Sequence, residues 1–69
     1  MRKIGDRFMC VHDYVYGGET RCFKDEVYTI TGIINDDIDV KIFLDKIYLF
    51  MWEFEMRSYF KPVPFKYGK

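Results

Sequence analysis

The chain has 69 residues and balances eleven Lys and Arg against eleven Asp and Glu, so it lacks the basic surplus that marks nucleic acid as a default partner. A chain of this length makes one domain, 1–69, and hides only about 60% of its unfolded surface, so its core must be rich. Seven Phe, six Tyr and one Trp supply that core, each ring burying about 150 to 250 Å² when it points inward, and no zinc or disulfide framework is required.

Met1 to Asp6 is polar and shows no apolar export segment, and Cys10 and Cys22 lack C-x-x-C spacing. Both thiols are therefore expected reduced, in the cytoplasm. Phe8, Cys10 and His12 fall on one face of a first strand and Arg7, Met9 and Val11 on the other. Asp13 to Arg21, with Gly17 and Gly18, reads as a long hairpin loop. Val27 to Ile34 is the next strand, with Tyr28 and Ile30 on one face and a bulge or bend at Gly32.

Asn35, Asp36 and Asp37 make a turn, after which Ile38, Val40, Ile42 and Leu44 alternate with the polar Asp39 and Lys41. Ile47 to Trp52 is a fourth strand, apolar on both faces, so that one face must be covered or used. This longest apolar run is far below the roughly 20 residues that cross a bilayer, and no membrane role is expected. Trp52, Met56 and Tyr59 share a helical stripe over Glu53 to Tyr59, which predicts a turn or two of helix. Pro62 and Pro64 admit only an edge strand beyond it, and 64–69 reads as a flexible tail. The sum is an all-β fold, a small five-stranded barrel with a short helical turn near the C-terminus.

Few residues suggest chemistry. Cys10, His12, Asp13 and Cys22 lack metal-finger spacing, and Cys10 with His12 has no third group to orient an imidazole. Gly17 and Gly18 open no helix, so they make no phosphate loop. No catalytic residue, metal or cofactor is assigned. Charge is unevenly spread, with six acids against two bases from Asn35 to Glu55, then four bases and no acid from Met56 onward.

Gly5-Asp6-Arg7-Phe8, then Val27-Tyr28-Thr29-Ile30, then Tyr59-Phe60-x-Pro62-Val63 resemble motifs of the small SH3-like barrel proteins encoded by bacteriophages and prophages. The resemblance spans Gly5 to Val63. It departs at Asp25, where the family carries Gly, a place Asp tolerates because it enters the left-handed region more readily than most residues. It implies an SH3-like barrel, in the cytoplasm of an infected or lysogenic bacterial cell, that masks the surface of a host or phage protein. It further implies an aromatic groove from Tyr14, Tyr16, Trp52 and Tyr59. Only Asp13 and Glu19 stand for the acidic loop of peptide-binding SH3 domains, and Ser58, Tyr59 and Phe60 replace their Pro-Asn-Tyr, so a broader protein-binding face is the stronger expectation. The alternative is a nucleic-acid-binding barrel that stacks bases on aromatics and contacts phosphates through Arg57, Lys61, Lys66 and Lys69.

Overall fold

A computed structural model describes residues 2–63. Strands β1 (Arg7–Cys10), β2 (Tyr14–Tyr16), β3 (Glu19–Cys22), β4 (Val27–Asn35), β5 (Val40–Leu44) and β6 (Phe50–Trp52) precede helix α1 (Glu53–Tyr59) and strand β7 (Phe60–Pro62). Five strands form one curled antiparallel sheet in the order β6-β5-β4-β1-β7, and β2 pairs with β3 in a separate ribbon. The helix is far too short to cross a membrane.

The long strand β4 serves two neighbours. Its first half pairs with β1, placing Phe8 opposite Tyr28, and its second half pairs with β5, placing Ile33 opposite Ile42. Between Ile30 and Gly32 the register shifts, so Thr31 is the extra residue of a bulge next to the expected Gly32. This shift reverses the phase of the strand. Ile30 is buried and Ile33 packs against the core, while Ile34, which strict alternation from Ile30 would turn inward, is half exposed.

The core unites Phe8, Cys10, Tyr28, Ile30, Ile42, Leu44 and Met51 from the curled sheet with Tyr14 and Cys22 from the ribbon, Met56 from the helix and Phe60 from β7. Period two on each strand puts those side chains on one face. Asp25 does sit in the left-handed region, at φ 74°. Its N–H donates to the Cys10 carbonyl, which fixes the turn leading into β4. Pro62 lies on the edge strand β7, opposite Phe8, where its missing N–H costs no ladder bond.

Four expectations need correction. His12 is exposed and follows the end of β1. The Asp13 to Arg21 segment is mostly a hairpin of its own: Gly17 and Gly18, both at positive φ, form its two-residue turn, and Tyr16 pairs with Glu19. Ile38 is 78% exposed, because the turn runs on to Asp39 and is closed by the Asp36 N–H donating to the Asp39 carbonyl. Finally, only Phe50–Trp52 of the fourth strand is extended ladder. Asp45 holds the preceding turn against β4, its backbone N–H donating to the Thr29 carbonyl and its carboxylate accepting the Thr29 N–H, and Tyr48 is left fully exposed. The tail at 64–69, Pro64, Lys66 and Lys69 lie outside the described residues.

The bulge makes a testable asymmetry. Ile30→Ala, which empties a fully buried site, is expected to cost about 2 to 5 kcal/mol in urea unfolding, and Ile34→Ala less than about 1 kcal/mol. Equal costs, or the reverse order, would contradict the phase shift at Thr31.

Candidate functional site

Tyr16 ends β2 and is 57% exposed, while Trp52 ends β6. Together with Leu49, Phe50 and Glu55 they line an open groove of about 350 Å³, solvent space included, between the ribbon and the edge of the sheet. Of the four aromatics expected to form a binding face, these two front the groove. Tyr14 does not, because it is only 6% exposed and belongs to the core. Neighbouring strand residues point to opposite faces, so burying Tyr14 turns Val15 outward, and the short ribbon then carries Tyr16 beyond the core. Tyr59 packs behind, edge-on to Tyr14 with ring centroids 5.0 Å apart.

Glu55 fastens the groove. One carboxylate oxygen accepts the backbone N–H of Trp52 at 3.0 Å, and the other accepts the Tyr14 hydroxyl at 3.1 Å. The helix thereby satisfies the residue at its N-cap and grips the ribbon at the same time. A second carboxylate assists from outside the helix, since Asp39 accepts the Phe54 N–H at 3.1 Å. Glu53 in the first turn is paired with Arg2 and with Arg57.

An aromatic ladder continues outward from the groove. The register puts Ile34, Lys41 and Trp52 in one row across β4, β5 and β6, and Gly32, Phe43 and Phe50 in the next. Phe50 meets Trp52 edge-on at 5.1 Å and Phe43 at 6.1 Å, and Phe54 stacks nearly parallel to Trp52 at 6.4 Å. The ammonium of Lys41 lies 4.8 Å from the Phe50 ring centre and 5.9 Å from that of Trp52. Leu49, Phe50, Phe43, Phe54, Lys41 and Glu55 were absent from the residues singled out by sequence. For Leu49 and Phe50 the only signal was the Ile47 to Trp52 run, apolar on both faces.

Of the basic residues expected to contact phosphates, the two that are described do not gather at this site. Arg57 is engaged with Glu53 at 3.6 Å, and Lys61 is exposed on β7, at the edge of the sheet opposite β6.

Cys10 and Cys22 are fully buried and free. Burial pushes the Cys22 thiol up to about 12, with the Cys10 thiol adding to it. Burial also raises Cys10, whose Sγ–H donates to the backbone carbonyl of His12 and not to its ring. Both therefore stay protonated and unreactive at neutral pH. Among the described residues no three His, Cys, Asp or Glu side chains gather as a metal site. Comparison with protein-family models, curated proteins and solved structures finds no match.

The buried hydroxyl and thiol make stability sensitive to alkali. Burial first, then the bond to Glu55, raises Tyr14 from 10.0 to about 12, and burial raises Cys22 from 9.0 to about 12. Both groups are neutral when protonated, so their contribution is complete below the unfolded values and is lost as pH climbs through the folded ones. The melting temperature is expected to fall between about pH 9 and about pH 12. Tyr14→Phe should reduce the part of the fall above about pH 10. A melting temperature flat across that window would contradict the burial of both groups.

Proposed function

We propose that this chain is a small protein-interaction module on an SH3-like barrel, and that its partner seats in the groove of Tyr16, Leu49, Phe50, Trp52 and Glu55. The observation that carries this reading is the meeting of the exposed Tyr16 on the ribbon with the partly buried Phe50 and Trp52 on the edge strand, on one concave surface. Tyr and Trp give large contact area with few rotatable bonds, which is why they anchor interfaces. The strand order supports the barrel type: the last strand returns through a helical turn to pair with the first, and a bulged strand is shared by both halves.

A binding role is preferred over catalysis because both thiols are buried and neutral and, among the described residues, no base is directed at either. Free buried thiols also favour a reducing compartment such as the cytoplasm. The resemblance to phage-encoded barrels extends the proposal to masking a surface of a host protein. Nucleic acid is the weaker partner, since Arg57 is already paired and acids border the groove.

The test uses the partner recovered by affinity purification from the native cells, with single- and double-stranded DNA and RNA alongside. Tyr16→Ala combined with Trp52→Ala is expected to weaken partner binding by about 30-fold or more while the fold persists. Arg57→Glu with Lys61→Glu should change it little. If the aromatic pair leaves binding intact and the charge reversals abolish a salt-sensitive association with nucleic acid, the interaction-module reading is wrong.

A further inference from the structure

We propose that the partner presents a basic polypeptide segment, and that its arginine or lysine side chains lie beside Trp52 and Phe54 against the carboxylates of Asp37 and Asp39. This rests on the interaction-module reading and adds the partner's chemistry. Three sets of observations converge on it.

The first is charge. The Arg2 and Arg57 guanidinium groups are taken by Glu53, and Lys41 pairs with Asp36 at 3.4 Å. Asp37, Asp39 and Glu55 meet no cation among the described residues. Asp39 and Glu55 accept hydrogen bonds from backbone N–H groups and a hydroxyl, which satisfies their lone pairs but leaves their charge. Among the described residues an arc of negative charge with no paired cation therefore borders the aromatic ladder, and it attracts a basic partner and repels an acidic one.

The second is the rings themselves. The ammonium of Lys41 already lies over Phe50 and Trp52, so cations are accommodated on this ladder by the attraction of a ring face for positive charge. Phe54, a residue 53% exposed whose backbone N–H donates to Asp39, extends it. The third is apolar area beside the same carboxylates, from Ile34 and Ile38, which are 52% and 78% exposed. Basic and apolar side chains in one segment match that mixture. A second copy of the chain fits poorly, because a two-fold contact through this patch brings Asp37 and Asp39 against their own counterparts.

Trp52 is the single tryptophan, so its fluorescence reports binding at the site directly. The probe is a synthetic hexapeptide alternating arginine and leucine, set against the same peptide with glutamate in place of arginine. The arginine peptide is expected to bind about tenfold or more tightly than the glutamate peptide, and to weaken as salt is raised. Asp37→Lys combined with Asp39→Asn, which keeps an acceptor for the Phe54 N–H, should weaken the arginine peptide about tenfold without lowering the unfolding midpoint. Asp25→Asn with Glu26→Gln, in the turn before β4 and away from the ladder, should leave its affinity unchanged.

Equal affinity for the two peptides, no response at millimolar arginine peptide, or equal loss in both acidic variants would overturn the proposal. If Tyr16→Ala with Trp52→Ala still abolishes binding of the purified partner in those cases, the module reading stands and only the chemistry assigned to its partner fails.

Discussion

The carboxylate of Glu55 connects three parts of this molecule that no backbone ladder joins. The ribbon of β2 and β3 lies outside the five-stranded sheet, so its position rests on side chains: Tyr14 and Cys22 in the core, Asp13 accepting the Lys24 N–H, and the Tyr14 hydroxyl on Glu55. Hydrogen bonds to a charged acceptor are each worth about 1.5 to 3 kcal/mol. Glu55 makes two, one to the ribbon and one to Trp52 at the free edge of β6. Tyr16 faces Trp52 across a groove because the helix holds both walls. The same bond occupies an N–H at the sheet edge that would otherwise be open to another chain.

The bulge at Thr31 decides which apolar side chains of β4 face outward. By reversing the phase of β4 it sends Ile33 toward the core and Ile34 outward, opposite Lys41. The curl then closes the inner face around Ile30, Ile42 and Met51. The outer positions of β5 and β6 hold Phe43, Phe50 and Trp52, which are only partly buried among the described residues. In a domain of this size buried area is scarce, and large rings left outside their own core are a resource for binding.

Much of the scaffold was legible from local pattern. Alternation marked β4 and β5, Gly32 marked the bulge, the helical stripe marked α1, and Pro62 marked an edge. Asp25 was readable as a left-handed turn because few residues besides Gly accept that backbone. Ile38 was misplaced because the alternation continues through a turn whose length is set by a backbone bond between Asp36 and Asp39. The ribbon was hidden because Glu19, Thr20 and Arg21 carry no apolar pattern. The site was least legible. That Tyr14 is buried and Tyr16 exposed depends on how far along the ribbon the core reaches, and Lys41, Phe43 and Phe50 become neighbours only through the register of β5 with β6. Glu55 gave no signal at all, because its two partners lie 3 and 41 residues away and converge only in the folded chain.

The clasp is tested most directly by a double-mutant cycle of Tyr14→Phe and Glu55→Gln, read as unfolding free energy in urea. The account predicts a coupling of about 1 to 2 kcal/mol, with a shift in Trp52 fluorescence in the Glu55→Gln variant. Single effects that add to within about 0.5 kcal/mol would mean that the hydroxyl and the carboxylate do not hold the ribbon to the helix.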